Sequence, residues 1–242
     1  NSVSGHGDAA TMSPQAKLIT GEMIISNNNL SHAATTAIFW GGDGSDKIPF
    51  PLEHHNIQIT NNNIVCSGGS GLKFVPSEDL ERSGHINIAN NNIEMQYITA
   101  DDGSIVKVSG GFTQAINFAG SYTNEIIVSN NNIDGTGANL CTVSFSALYN
   151  CVFTGNRIKS INSRVFRGNG ASTIENCVFN DNLFTCATVI SPQTSSQAVI
   201  KDTTFVGNVV VSSNNTRNAG SLINGGALED VIISNNIFRF AE

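Results

Sequence analysis

The sequence predicts an all-β fold, a single-stranded parallel β-helix (solenoid) of about eight coils joined by a ladder of Asn side chains. Three observations predict it. An eight-residue motif aligns eight times without gaps, and its sixth residue is Asn every time. Successive copies of that Asn lie 34, 29, 40, 25, 26, 26 and 28 residues apart. A period of this size with occasional longer members marks a solenoid whose insertions lie in loops. The Leu run of a leucine-rich repeat is absent, and no apolar pattern of helical period persists.

The octads are MIISNNNL from Met23, IQITNNNI from Ile57, INIANNNI from Ile86 and IIVSNNNI from Ile126. They continue with CVFTGNRI from Cys151, CVFNDNLF from Cys177, TTFVGNVV from Thr203 and VIISNNIF from Val231. The third position is always large and apolar: Ile25, Ile59, Ile88, Val128, Phe153, Phe179, Phe205 and Ile233. The eighth is also apolar, from Leu30 to Phe238. Alternation rich in β-branched residues makes each octad a strand. The fifth position holds Asn27, Asn61, Asn90, Asn130, Gly155, Asp181, Gly207 and Asn235. Asn, Asp and Gly tolerate left-handed backbone, so this position predicts positive φ and a sharp bend. The sixth-position amides, Asn28, Asn62, Asn91, Asn131, Asn156, Asn182, Asn208 and Asn236, stack as a ladder. A buried ladder is favourable only where every member is satisfied, which demands a regular stack. The seventh position varies from Asn29 to Arg157 and Val209 and is expected to face solvent.

Composition agrees. The chain has 242 residues, a net charge of -7 and only 13% charged residues. Asn, Ser, Thr and Gly take the place of charge, while 40% of residues are hydrophobic, which is not a disordered composition. No basic run points to nucleic acid. No apolar stretch is long enough for a membrane helix. The five cysteines, Cys66, Cys141, Cys151, Cys177 and Cys186, lack CxxC spacing and read as small buried hydrophobes. Residues 1–20 are expected to form a cap or linker and residues 21–242 a single β-helical domain. The chain begins with Asn, and its last octad ends four residues before the C-terminus, so an excised or processed segment of a longer protein is expected.

A strand, a two-residue Asn turn and a second strand, at about 25 residues per coil, resemble the pectate-lyase-like right-handed parallel β-helix. The uneven, Asn- and Ser-rich coils look most like bacteriophage tailspikes and related polysaccharide depolymerases. The resemblance covers roughly residues 20–242. It implies that the turn joins the second and third strands of a coil, and that the first strand lies downstream of the octad. The candidates are Ala37-Ile38-Phe39-Trp40, Gly71-Leu72-Lys73-Phe74, Ala115-Ile116-Asn117-Phe118 and Thr142-Val143-Ser144-Phe145. Alternation puts Trp40, Phe74, Phe118 and Phe145 inside. In the third coil Ile105-Val106-Lys107-Val108 competes for the role, and Ser221-Leu222-Ile223-Asn224 fits the last coil.

The resemblance also implies a substrate groove over the first strand and its neighbouring loops. The outward residues there are Phe39, Lys73, Asn117 and Ser144, which makes them the substrate-binding candidates. Phe39 would stack on a sugar ring and Lys73 would meet an acidic sugar. Glycoside hydrolysis takes two carboxylates, one donating a proton and the other activating water or attacking. The long loops of the first three coils carry Asp43, Glu78, Asp79, Asp101 and Asp102, the catalytic candidates. Gly5-His6-Gly7, Asp101-Asp102 and Arg157-Ile158-Lys159 resemble polygalacturonase motifs, but their order is broken and Arg157 falls in the Asn turn. His54 and His55 are adjacent and point opposite ways in a strand, so no zinc site is expected. The expectations are therefore a glycosidase or lyase acting on a bacterial surface polysaccharide, without metal or cofactor, or else a non-catalytic glycan-binding or structural module. A homotrimer in a virion tail or another extracellular setting follows from the resemblance, with no nucleic-acid partner and no membrane insertion.

Overall fold

The computed structural model describes residues 2–4, 21–33, 36–41, 55–66, 69–75, 85–96, 98–99, 105–106, 114–118, 123–138, 141–192, 198–212 and 221–240. The described elements are strands, and every pairing between coils is parallel. The first half of each octad forms an eight-stranded sheet in chain order, from Gly21–Ser26 to Ile232–Ser234. The chain then bends at the fifth position. Asn27, Asn61, Asn90, Asn130, Asp181 and Asn235 have φ between 53° and 57°, and Gly155 and Gly207 have φ of 64° and 69°. All eight fifth positions are thus left-handed, as their residue types predict.

After the bend the chain enters a 16-stranded sheet made of two main stacks. One stack holds the second half of the octads, such as Asn63–Cys66, Asn92–Met95 and Asn132–Asp134. The other holds Thr36–Gly41, Ser70–Val75, Gln114–Phe118 and Cys141–Tyr149, the downstream strands expected from the sequence. The long strands Arg157–Glu175 and Leu183–Pro192 run through both stacks and join them into one sheet. Ser221–Ile223 extends the third stack, as expected. The competing candidate around Ile105 is overturned. Ile105–Val106 instead pairs antiparallel with Ile98–Thr99, and Gln114–Phe118 takes the place in the stack. Ser2–Ser4 pairs parallel to Asn29–Ala33 and stacks on the first coil.

A second corner was not visible in the repeat. Glu125, Asn150, Asn176, Asp202 and Asp230 also have positive φ, each just before an octad. Two left-handed corners thus bound the short first-sheet strand in these coils. Behind one of them the residues at octad position one form a small polar column. Cys151, Cys177 and Thr203 each donate to the backbone carbonyl two residues earlier, and the Cys177 N–H donates to Thr203 Oγ1 at 3.3 Å.

The core fills the coil. Phe153, Phe179 and Phe205 stack one per coil at 5.0 and 4.8 Å between centroids, with nearly parallel ring planes. That separation matches the roughly 4.8 Å spacing of neighbouring strands. Phe166 meets Phe153 and Phe179 edge-on from the third stack. Phe74, Phe118 and Phe145 are buried as alternation requires. All five cysteines are buried and unbridged. In the last described coil Ile233 and Phe238 are half-exposed, because no described strand stacks beyond them.

The Asn ladder is fully connected through the described coils. Each sixth-position Oδ1 accepts from both the backbone N–H and the Nδ2 of the Asn in the preceding coil, for example Asn28 to Asn62 at 3.0 Å. Each Nδ2 also donates to the third-position carbonyl of the preceding coil, as Asn131 does to Ile88 at 2.8 Å. A second, exposed ladder joins the seventh-position side chains Asn29, Asn63, Asn92 and Asn132 at 2.7 to 2.9 Å. The expected exposure of that column holds, and its first four members are also tied to one another.

Candidate functional site

The three stacks present three outer faces of different character. On the first sheet, outward positions two and four run from Ile24 and Ser26 to Ile232 and Ser234 without a charged residue. Ile24, Ile127, Val178 and Ile232 lie there with large exposed surface. On the second stack, outward residues of both signs meet along the axis. Glu94, Asp134 and Lys159 lie side by side on successive coils. On the third stack, Lys73, Asn117, Ser144, Arg167 and Ser191 lie in continuous register; Lys73, Asn117 and Arg167 are part-exposed, while Ser144 and Ser191 are buried.

The third face holds the substrate-binding residues expected from the sequence. Lys73 and Asn117 are register partners, as are Asn117 and Ser144. Strand alternation turns Lys73 and Asn117 away from Leu72, Phe74, Ile116 and Phe118, which are buried in the core, but Ser144, expected outside, is itself buried at 2% exposure under its neighbours. Ser144 Oγ donates to Asn117 Oδ1 at 2.8 Å, which fixes the amide orientation. Phe39 occupies the next backbone position beyond Lys73. The catalytic candidates Asp43, Glu78, Asp79, Asp101 and Asp102 lie outside the described residues.

Arg167 extends this row and escaped the sequence reading. The fifth coil has no loop between its second and third strands, so no loop announces its downstream strand. The signal was the Val165-Phe166-Arg167 step, in which two buried residues precede a polar one. The same step occurs at Ala115-Ile116-Asn117. Arg164, earlier on the same strand, is in register with Cys141. Burial pushes the Cys141 thiol up to about 12, and the nearby Arg167 and Arg164 guanidiniums offset this only in part.

The second face offers a described carboxylate pair, Glu94 and Asp134, on adjacent coils. Glu94 Oε1 accepts from Gln96 at 2.9 Å. Asp134 Oδ2 accepts from Lys159 Nζ at 3.0 Å, while the backbone N–H and hydroxyl of Thr136 both donate to Oδ1. Partial burial pushes the Asp134 carboxyl up. The Thr136 hydrogen bonds and Lys159 outweigh it and hold the group below its ordinary value. Asp134 is therefore an ionised anchor at neutral pH, unsuited to donating a proton. Arg157 and Lys159, part of the broken polygalacturonase-like motif, lie on this second face away from the third-stack row. Among the described residues, no group of three or more His, Cys, Asp and Glu side chains is arranged to hold a metal ion.

No family model matches the chain, and no curated protein matches it in sequence.

Proposed function

We propose that this chain is a tailspike-like β-helix that binds a bacterial surface polysaccharide along the outer row of its third stack and cleaves it with carboxylates from neighbouring loops. The observation that carries the binding half is the register that brings the part-exposed Lys73, Asn117 and Arg167 onto one stack, with Ser144 and Ser191 buried at the remaining positions. Polar side chains held in register on coils about 4.8 Å apart give an extended sugar polymer more than one partner along the axis. A solenoid commits the rest of each coil to stacking, which leaves the lateral face for function. The resemblance to tailspikes supplies the cleavage half, with Asp43, Glu78, Asp79, Asp101 and Asp102 as acid and base or nucleophile. It also supports a homotrimer acting in a virion tail or elsewhere outside the cell. The uncharged outer face of the first sheet suits packing between copies, since burying it removes no charge from water.

A non-catalytic glycan-binding module is the second reading. The observation that favours it is the state of the described Glu94–Asp134 pair, in which Lys159 and Thr136 keep Asp134 ionised. Incubation with capsular and O-chain polysaccharides, with reducing ends and retention on immobilised glycan measured together, separates the readings. New reducing ends support cleavage. Retention without new ends leaves the binding module, and neither result sinks both. Sedimentation at a monomer mass removes the trimer.

A further inference from the structure

The corner between the first sheet and the second stack carries more Asn than the fold requires. Coils one to four hold Asn27, Asn61, Asn90 and Asn130 at the fifth octad position. They hold Asn29, Asn63, Asn92 and Asn132 at the seventh. All of these side chains are exposed except Asn92, which is half-buried. Coils five to eight show what the backbone needs at the same places. Their fifth positions are Gly155, Asp181, Gly207 and Asn235, left-handed like the first four. Their seventh positions are Arg157, Leu183, Val209 and Ile237, which continue the same parallel register from Asn132. The buried sixth-position ladder runs through both halves. The fold therefore needs only left-handed tolerance at the fifth position, and no amide at the seventh.

We propose that this exposed amide grid is a second binding site, independent of the third stack, for a neutral, hydroxyl-rich polysaccharide laid along the solenoid axis. The seventh-position amides are joined coil to coil at 2.7 to 2.9 Å. A primary amide has two N–H donors and two acceptor lone pairs. Asn63 and Asn92 each use one donor and one lone pair in the ladder. That leaves one of each on both side chains, and a sugar hydroxyl answers them with its own lone pair and O–H. The ladder holds the amides in one orientation, so a ligand meets groups that are already ordered. Asn29 and Asn132 lie three strand spacings apart, roughly 14 Å, which suits a chain of sugars better than a single one. Charge argues against an acidic polymer. Glu94 and Asp134 stand two residues beyond Asn92 and Asn132 on the adjoining face. With a net charge of -7, this edge repels a polyanion, nucleic acid included.

The test measures retention of the full chain on immobilised unsubstituted glucan, mannan and galactan, with uronate-containing polysaccharides alongside. Retention on at least one neutral polysaccharide is expected, and salt should leave it unchanged because no ion pair forms. The double variant Asn63→Val with Asn92→Val repeats the residue type that Val209 already supplies at this position. It should stay folded, with a small shift in its melt, and bind roughly tenfold more weakly. The side-chain amide resonances of Asn63 and Asn92 in the wild type, titrated with oligosaccharides of the retained polysaccharide, should shift and so report the site without any substitution. Retention of acidic chains alone, or of no chain, overturns the proposal. So does wild-type affinity in the double variant, or amide resonances that stay still at saturation. Retention that survives the double variant but falls in Lys73→Gln overturns this site and leaves the third-stack reading standing. Should the double variant melt early, the amide resonances decide alone.

Discussion

Asn156 Oδ1 accepts two hydrogen bonds from Asn131, one from its backbone N–H and one from its Nδ2, both at 3.0 Å. Asn131 does the same for Asn91 and also donates to Ile88 O. Asn131→Ala would remove the partners that its side chain gives the Asn91 N–H and the Ile88 carbonyl of the preceding coil, while Asn156 Oδ1 would keep only the bond from the backbone N–H of residue 131. At roughly 1–3 kcal/mol for each such group, a loss of about 3 kcal/mol or more is expected. Asn132→Ala, one residue along in the exposed ladder, should cost under about 1 kcal/mol. Denaturant midpoints of the two variants check the contrast; equal losses would mean the buried ladder is not special.

The fifth position is a conformational requirement. Asn130 has φ of 53°. Asn130→Gly should be close to neutral, whereas Asn130→Val should destabilise by about 2 kcal/mol, since a branched residue resists left-handed backbone. Gly155→Ala meets a further obstacle, because its Cβ would lie 2.5 Å from Asn130 Oδ1. Thermal melts of the three variants provide the ranking.

Phe166 is fully buried and touches Phe153, Phe179 and Phe184. Phe166→Ala should cost about 3–5 kcal/mol, the range for truncating a buried aromatic. Phe166→Leu should recover much of that. Equilibrium unfolding in urea reads both.

Asp134 sets a pH-dependent contribution. Its folded-state pKa is held below the unfolded value by Thr136 and Lys159. The group therefore adds stability above about pH 4, near the unfolded carboxylate value, and the gain fades as pH falls through the lower folded value. Because the pair is partly exposed, the gain should stay below about 1 kcal/mol and shrink in salt. Comparing acid melts of the wild type and Asp134→Asn checks it. Identical pH profiles would remove Asp134 as the cause.

The cysteines should be inert in the native protein. Burial pushes Cys141 and Cys186 to about 12, so at pH 8 their thiols stay protonated. A thiol-reactive dye should label none of the five rapidly in buffer and all five in denaturant. Rapid native labelling would contradict the packing.

The octad columns determined the repeat, the left-handed fifth position and the buried sixth-position amide. Each is a local demand, of backbone sterics, of alternation or of one side chain's chemistry, and it recurs identically in every coil. The strand positions of Lys73, Asn117 and Ser144 were legible because each is followed directly by a Phe that the core takes up, although the burial of Ser144 itself was not. The second corner was not legible. Glu125, Asn150, Asn176, Asp202 and Asp230 share only their backbone conformation, and Glu is a poor marker for it. Arg167 joined the row only through register across coils, since its strand continues from the Asn turn without a loop to announce it. The contrast between an uncharged face and a charged one is likewise a property of stacking. It exists only when residues tens of positions apart are placed at one strand spacing, and that placement belongs to the tertiary structure.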